Sequence, residues 1–339
     1  MLIPVDDVRA TATDALLSAG VSPENTEILI RSLVEAELRG FPSHGLLRLP
    51  RVIERIRNGV ADGHATGQHV WTASAQLSVD GERGIGPVVA HHALAAISQR
   101  AKTTGIAVAS IANNNHIGML ALYAEDIARA GQVLIGFTTS EALVHPWGGR
   151  TAMVGTNPVT IGVPASPDPF VMDMATGLVS MGKIHDYAHR GEVIPEGWAL
   201  DAAGNPTHDA VAAKSGAIAP FGGAKGYALG LAFEVLVASL TATATGRDVV
   251  GTLDSTEVCN KGDVFIVVEP TNSTTAISNY LAEIRGTDPT NPAHPVLVPG
   301  DRALRVRRCG RELGIEVAPE VWGRIIELLS PIKSERRRG

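Results

Sequence analysis

Alternating helix and strand patterns between residues 88 and 138 constrain the fold of this chain more than any other feature. Apolar residues at helical spacing occupy 88–102, and a continuous apolar segment follows at 106–111. A second helix–strand pair follows at 118–130 and 133–138. Strands that alternate with helices in this way are typical of layered α/β proteins. We therefore predict an α/β fold with helices flanking a sheet.

The flanking sequence predicts a helical N-terminal region and a loop-rich middle. Ser22 followed by Pro23 is a favourable helix start, since serine caps the free amides and proline fits the first turn. Gly and Pro residues are frequent between 139 and 223, so we expect long ordered loops of the kind that carry function. The other predicted elements are helices at 6–19, 23–39, 279–285 and 319–329 and strands at 77–80 and 264–269.

Residues 227–244 are almost all apolar and could be mistaken for a membrane span. The segment is about 18 residues long, slightly short for a bilayer, which needs about 20. It also contains Glu234 and follows a glycine-rich turn. We predict a buried helix of the α/β core and no membrane partner.

Charge and ligand patterns exclude several classes of partner. With 29 basic and 35 acidic residues the net charge is −6, whereas nucleic-acid binding usually requires a basic face. The basic segment 333–338 is interpreted as a frayed tail. His185 and His189 have i, i+4 spacing, but only Asp186 lies near them as an acidic ligand, so no metal site is expected. The first residues lack the pattern of a signal peptide, and we expect a cytoplasmic location.

The sequence Ser43-His44-Gly45, with Arg48 one turn later, is the first candidate for chemistry. If a helix starts at Ser43, His44 and Arg48 share one face. A proton donor beside a planar guanidinium suits a small carboxylate whose neighbouring carbon undergoes proton-coupled chemistry. An ordinary helix cap with an exposed imidazole and a solvated arginine gives the same pattern, so the motif alone leaves both interpretations open.

A series of further motifs follows in a fixed order. They are NNNHIG at 113–118, PWGGR at 146–150, GTNP at 155–158, DMAT at 173–176, GK at 182–183, PEGWALD at 195–201, GGAKGY at 222–227 and VPGD at 298–301. In this order and spacing the set resembles the malate/L-lactate dehydrogenase family. That family includes ureidoglycolate, diketogulonate and sulfolactate dehydrogenases and the piperideine/pyrroline-2-carboxylate reductases. The likeness extends from about residue 5 to about residue 325.

The resemblance implies NAD or NADP as cofactor on a non-Rossmann α/β fold with a mixed sheet. The residues alone do not indicate a dinucleotide, because no G-x-G-x-x-G follows a predicted strand. Two positions depart from the family pattern: Gly177 replaces a serine and Ala224 replaces a histidine. The cofactor positions that the resemblance implies are His116, Ile117, Gly118, Met119, Leu120, Asp173, Met174, Ala175, Thr176, Lys225, Gly300, Asp301 and Arg302.

For the substrate, the resemblance implies His44 as proton donor and Ser43 as its hydrogen-bonded neighbour. Arg48 would hold a carboxylate and Thr156 would make a further contact. Lys183 is the form associated with the hydroxy-acid branch, whereas the imine-reductase branch can carry an aspartate there. We therefore expect reduction of a malate-like or lactate-like 2-oxo acid and the reverse reaction. Cyclic imine reduction stays open, because both reactions act on a carbon next to a carboxylate.

The resemblance also implies a homodimer and a two-part organisation. Residues 1–112 with 226–339 would form a helical domain for substrate binding and dimerisation. Residues 113–225 would form the cofactor-binding domain. No linker composition marks these boundaries in the sequence itself.

Overall fold

The computed structural model describes residues 1–271 and 273–329, and the basic segment 333–338 therefore lies outside the described residues. The N-terminal part is helical, as predicted, and the capping of its second helix is confirmed: the Ser22 hydroxyl accepts a hydrogen bond from the Asn25 amide at 3.3 Å. Leucine, isoleucine and valine side chains from this part form a core of their own with the last helix. The elements of this layer are β1 (Leu2–Ile3), α1 (Val5–Ser18), α2 (Pro23–Leu38) and α3 (Leu49–Arg57).

A mixed sheet forms the centre, and within the described residues it has seven strands. Their order is β2-β3-β4-β12-β5-β8-β9, with β3 and β4 parallel and every other pair antiparallel. This arrangement confirms the predicted α/β fold with a mixed sheet. The strands are β2 (Gln68–Ala73), β3 (Gln76–Asp80), β4 (Ile106–Ala112), β5 (Val133–Thr138), β8 (Val159–Val163), β9 (Phe170–Met174) and β12 (Asp263–Val268).

The two faces of the sheet are covered unequally. Helices α4 (Gly86–Thr104) and α5 (Leu120–Arg129) pack on one face, where Phe265 and Val267 of β12 are buried. The alternate residues, Val264 and Ile266, point to the opposite face, as the two-residue period of a strand requires. Only α8 (Ala224–Thr241) among the described helices packs strongly there, and several apolar side chains of that face stay half-exposed.

The prediction of a buried helix at residues 227–244 is wrong for the single chain. Only Gly226, Gly230, Glu234 and Val237 of α8 are buried. The exposed fractions of Val235 and Leu229 are 58% and 46%. By length and composition alone α8 could cross a membrane, and it is the one such helix among the described residues. The apolar composition correctly predicted a helix, but one side of α8 stays exposed in the single chain.

The segment 139–223 contains more regular structure than the predicted loops. Strands β8 and β9 extend the central sheet, and short elements build a separate small sheet. These short elements are β6 (Ala142–Val144), β7 (Val154–Gly155), α6 (Met181–Arg190), β10 (Ala199–Leu200), α7 (Ala210–Ala213) and β11 (Ala217–Ile218). The chain ends with α9 (Thr274–Arg285), α10 (Asp301–Leu313), β13 (Ile315–Glu316) and α11 (Pro319–Leu329). The two-domain division stays a prediction, since the central sheet draws strands from both of its parts.

Candidate active site

The chain between α2 and α3 is folded as two tight turns instead of the predicted helix. Pro42–His44 and Leu46–Arg48 are 3₁₀ turns that meet at Gly45, so Ser43 does not cap a helix. Glu37 of α2 accepts a hydrogen bond from the Leu46 amide at 2.6 Å and fills the space where a side chain at Gly45 would stand. Pro50 lies in the first turn of α3, where the missing amide proton of a proline is tolerated. The turns nevertheless keep His44 and Arg48 together.

His44 is held by its neighbour and lies deep in a cleft. Its Nδ1 is 2.9 Å from the Ser43 hydroxyl, so Nε2 is the ring nitrogen left for a ligand. Burial, followed by the positive charge of Arg48, lowers the pKa of His44 to about 4. In the free protein His44 is therefore neutral near pH 7.

Arg48 is fixed by two backbone carbonyls from separate parts of the chain. Its Nε donates to the Ser43 carbonyl at 2.8 Å, and Nη1 donates to the Thr252 carbonyl at 3.4 Å. Burial lowers the pKa of Arg48 to about 10, and the charge of nearby Arg51 acts in the same direction. Arg48 still carries its charge near neutral pH, and no carboxylate among the described residues forms an ion pair with it.

His116 brings a second imidazole to the same place. The ring centres of His44 and His116 are 5.5 Å apart. The Gly118 amide donates to His116 Nδ1 at 3.1 Å, so a neutral His116 carries its proton on Nε2. Burial, then the charges of Arg48 and His44, hold the pKa of His116 well below its usual range. Two imidazoles this close disfavour the state in which both rings are positively charged.

These side chains line one cleft. His44, Arg48, His116 and Gly118 all contribute to its wall. Sequence reasoning missed Arg51, Arg55, Asn115 and Thr252, which line it as well. The sequence did contain a signal for two of them, because Arg51 and Arg55 follow Arg48 at helical intervals. Thr252 is more than 200 residues from His44 in sequence, and nothing local marked it.

Thr156 lies outside this cleft, in the turn between β7 and β8. The Ser140 hydroxyl accepts a hydrogen bond from the Thr156 amide at 2.9 Å and lies 3.1 Å from the Thr156 hydroxyl. Glu234 of α8 anchors the same turn, accepting bonds from the Gly155 amide at 3.0 Å and the Asn157 side chain at 2.7 Å. The one acidic residue of the apolar helix thus fixes the loop that carries Thr156.

The predicted cofactor segments come together beside this turn. Thr176 donates two hydrogen bonds to the Thr156 carbonyl, at 2.7 and 2.9 Å, which joins the two motifs. Asp173 accepts a bond from the Ala121 amide at 2.7 Å and thereby caps α5. Burial raises the pKa of Asp173 to about 6, against the bonds from the amides of Ala121 and Leu120. The first amides of α5 therefore have an acceptor within the protein.

The remaining residues of the 116–120 segment present backbone only. The side chains of Ile117, Met119 and Leu120 are buried in the core beneath the sheet. Gly118 has a φ of +72°, and a side chain there would meet the Ser32 hydroxyl, so its glycine serves packing against α2.

The start of α8 is the element that best fits a dinucleotide phosphate. Gly222 and Gly223 have positive φ, no side chain caps the helix, and Lys225 is exposed in its first turn. A side chain at Gly222 would enter open space 3.9 Å from the Gly226 amide. Free helix amides beside a lysine are suited to an anion. The residues present therefore fit NAD(P).

Gly300, Asp301 and Arg302 lie where α10 begins. A side chain at Gly300 would meet the Val171 carbonyl of β9 at 3.1 Å, so the loop packs directly on the strand that contains Asp173. Asp301 pairs with Arg285 at 2.8 Å, and the Arg302 guanidinium lies 5.6 Å from the ring centre of Phe41. This loop thus reaches the turn that carries His44.

His185 and His189, the pair for which no metal site was expected, lie on α6. Asp186, between His185 and His189, pairs with Arg190 at 3.1 Å. No group of three or more metal-ligating side chains occurs within residues 1–271 and 273–329.

Comparison with known proteins gives the class and the family. A family model described as malate/L-lactate dehydrogenase matches residues 3–326. The chain is 32% identical over 342 residues to the malate/(S)-sulfolactate dehydrogenase of Methanothermus fervidus, covering 99% of both. It is 33% identical over 329 residues to the Delta(1)-pyrroline-2-carboxylate reductase of Ancylobacter novellus, covering 94% of this chain and 95% of that one. The crystal structure of a dehydrogenase from Sinorhizobium meliloti matches with a TM-score of 0.94 and 46% identity, covering 97% of this chain and 98% of that one.

The mixed sheet and these matches define an oxidoreductase that uses NAD(P). The chain belongs to the malate/L-lactate dehydrogenase family. The predicted family, fold class and cofactor class are confirmed.

Proposed function

We propose that this protein reduces a small 2-oxo acid to the 2-hydroxy acid and catalyses the reverse reaction. The observation that carries the proposal is that His44 and Arg48, fixed by Ser43 and by two backbone carbonyls, line one cleft. When bound, NAD(P)H supplies the hydride that is added to C2. Arg48 holds the carboxylate through its free guanidinium edge, which fixes the face of C2 presented to the cofactor. His44 donates a proton from Nε2 to the oxygen on C2.

Substrate binding prepares His44 for this transfer. In the free protein the charge of Arg48 contributes to a His44 pKa of about 4. A carboxylate on Arg48 cancels that contribution and raises the pKa of His44 in the complex. The proton is therefore held more firmly when a substrate is present. In the reverse direction the neutral imidazole accepts the hydroxyl proton.

The arginines of α3 favour a substrate with a second anionic group. Arg51 lines the cleft beside Arg48 and forms no ion pair with a described acidic residue. The relative from Methanothermus fervidus is named for malate and sulfolactate, which both carry two anionic groups. Oxaloacetate-like and sulfopyruvate-like acids are therefore preferred over pyruvate.

Cyclic imine reduction is the second candidate, supported by the match to a pyrroline-2-carboxylate reductase. In that reaction His44 would protonate nitrogen instead of oxygen. Lys183, on which we based the preference, lies on α6 with its ammonium 4.9 Å from the Trp198 ring centre, and it does not line the cleft. The preference for an oxo acid therefore rests on the arginines.

The cofactor positions are proposed along one surface. Backbone groups of 116–120 and side chains of 173–176 would contact the nicotinamide half. Lys225 would contact phosphate, and Gly300, Asp301 and Arg302 would close over the cofactor. Thr156, bonded to Thr176, would contribute at the junction between the cofactor and the substrate.

A cytoplasmic homodimer is proposed as the working form. The exposed apolar residues of α8 continue into half-exposed residues of the open sheet face, including Ile135 and Ile266. A second copy of this chain would cover both surfaces. An apolar patch this continuous is typical of subunit interfaces.

Oxidation of NADH and NADPH at 340 nm tests the activity. The panel contains pyruvate, oxaloacetate, sulfopyruvate, 2,3-diketogulonate, and the piperideine and pyrroline carboxylates. Turnover that is fastest with the dianionic oxo acids is the expected result. Turnover restricted to the cyclic imines would replace the proposal by the second candidate, and the same assay identifies the preferred cofactor. Sedimentation analysis of the purified protein tests the dimer.

A further inference from the structure

Glu141 is an acidic residue near the site that has no role in the proposed function. It lies between β5 and β6, next to Ser140, and its Oε1 accepts three hydrogen bonds from a distant turn. The donors are the Thr252 amide at 2.8 Å, the Thr252 hydroxyl at 2.9 Å and the Leu253 amide at 2.8 Å. Three charge-assisted bonds to one oxygen strongly restrain a turn that belongs to the long connection between α8 and β12.

The restrained turn is the one that holds Arg48. The Thr252 carbonyl accepts from Arg48 Nη1, whereas the Ser43 carbonyl accepts from Nε. The Ser43 carbonyl is local to Arg48, but the Thr252 carbonyl reaches it across the cleft. The bond at 3.4 Å is long, so a small shift of residue 252 would remove it.

The negative charge of Glu141 also favours the charged form of Arg48. It raises the pKa of Arg48, opposing burial and the charge of Arg51, which lower it. The charge of Glu141 thus partly offsets burial and the charge of Arg51 at the Arg48 guanidinium.

We propose that Glu141 is a positioning residue that acts through Thr252 to aim the Arg48 guanidinium at the substrate carboxylate. The proposal rests on the proposed function, in which Arg48 binds that carboxylate. Glu141 does not touch the substrate. Its loss lets the Thr252 turn relax and leaves Arg48 with one anchor, which weakens carboxylate binding and leaves the cofactor site intact.

Glu141→Ala tests this role against Glu141→Gln. We expect the alanine variant to raise the KM for the 2-oxo acid about tenfold, with kcat changed less than threefold and cofactor affinity unchanged. Glutamine keeps an oxygen acceptor and should restore KM to within about threefold of the original. The matched control is Asp209→Ala, which removes an exposed carboxylate that likewise accepts backbone amides, from Val211 and Ala212, far from Arg48.

A double-mutant cycle with Arg48→Lys distinguishes positioning from a merely structural role. If Glu141 acts through Arg48, adding Glu141→Ala to Arg48→Lys changes KM less than twofold. A further tenfold increase in the double variant, or an unchanged KM in the single one, would overturn the proposal.

Calorimetric binding of oxalate in the presence of NADH or NADPH gives a readout independent of turnover. Glu141→Ala should weaken oxalate about tenfold, and equal affinity would contradict the inference. Failure of the proposed function looks different: the unmodified protein would show no turnover of oxo acids, whatever residue 141 is.

Discussion

Two groups of charged side chains in this protein differ in whether their charges are paired. The first, which we call the scaffold cluster, consists of Glu35, Arg39, Glu125, Arg307 and Arg311 between α2, α5 and α10. Its charges are paired: Arg39 is 3% exposed and contacts Glu35 at 3.0 Å and Glu125 at 2.5 Å. The second group lines the cleft, where Arg48 and Arg51 form no ion pair with a described carboxylate. Breaking a buried pair is costly to the fold, whereas unpaired arginines in a cleft are candidates for binding an anionic ligand.

Helix α2 carries both Glu35, which belongs to the scaffold cluster, and Glu37, which lies beside the candidate site. Burial alone would raise the pKa of Glu35, but hydrogen bonding to Arg307 and the charge of Arg39 hold it below its usual range. Glu37, two residues later, faces only the Leu46 amide, and burial raises its pKa to about 7. The same residue type on the same helix is thus ionised in the scaffold and titratable beside the site. Perturbed groups of the second kind cluster at functional sites.

Replacing His44 by alanine should give the largest effect on activity. Loss of the proton donor removes general acid–base catalysis, so we expect turnover to fall about 10²- to 10⁴-fold. NAD(P)H affinity, measured by fluorescence titration, should stay nearly unchanged because the cofactor is proposed to bind through other residues. His69→Ala, on exposed strand β2, is the control. Near-normal turnover in the His44 variant would remove it from the mechanism.

Replacing Arg39 by methionine should affect stability and leave KM unchanged. Two buried carboxylates would lose a partner, which typically costs about 3–5 kcal/mol. Arg31→Met provides a matched control, since Arg31 and Asp126 also join α2 to α5 at 2.5 Å but lie at the surface. That pair should contribute less than about 1 kcal/mol. Urea unfolding measures both. Similar losses in the two variants would show that burial does not separate the scaffold cluster from ordinary surface pairs.

Replacing Arg48 by lysine should change binding more than the chemical step. A point charge cannot reproduce two parallel bonds to a carboxylate, so we expect the KM for the 2-oxo acid to rise about 10- to 100-fold. Arg57→Lys, exposed at the end of α3, should leave KM as it was. Steady-state kinetics on the same substrate compare the two. If the Arg48 variant has the same KM as the original protein, the carboxylate binds elsewhere. The unpaired charge of Arg48 would then have no role in substrate binding.

Sequence patterns predicted the elements with local signals and missed those that depend on distant partners. Strand β5 and helix α11 were predicted with their observed bounds, because apolar periodicity and clear flanking residues define them. Strands β8 and β9 are short and lie among glycines and prolines, and they form by pairing with an already assembled sheet. The helix expected at Ser43 failed for a similar reason, since Glu37 fixes the Leu46 amide from another element.

The residues of the candidate site also divide into those that local patterns predicted and those that depend on distant partners. His44 and Arg48 were paired by their spacing, and the structure keeps them together in spite of a different local fold. Glu141 lies 111 residues from Thr252, and no local pattern could connect them. Asp173 was expected along the cofactor, yet its bond to Ala121 gives it a structural duty that only the fold reveals. The roles of all these residues stay predictions until the variants are measured.

The last effect concerns the pH dependence of stability, and it compares the two glutamates of α2 directly. The pKa of Glu37 is raised from 4.5 to about 7, so the folded state favours its protonated form. This contribution to stability is complete below pH 4.5 and is lost as the pH rises through 7. Glutamine cannot ionise, and it keeps an oxygen for the Leu46 amide. Between pH 5 and pH 8, Glu37→Gln should therefore lose less unfolding free energy than the original protein, by up to about 2.5 kcal/mol.

Glu35→Gln should behave differently over the same range. The pKa of Glu35 is lowered, so its contribution is present above 4.5 and is lost only at lower pH. This variant should be destabilised equally at pH 5 and pH 8. Urea unfolding at the two values measures both slopes, and the titration of Asp173 cancels because every variant contains it. The difference in unfolding free energy between Glu37→Gln and the original protein could instead be the same at pH 5 and pH 8. The Glu37 carboxyl would then be ionised at both values, and Glu37 and Glu35 would not differ in the way proposed.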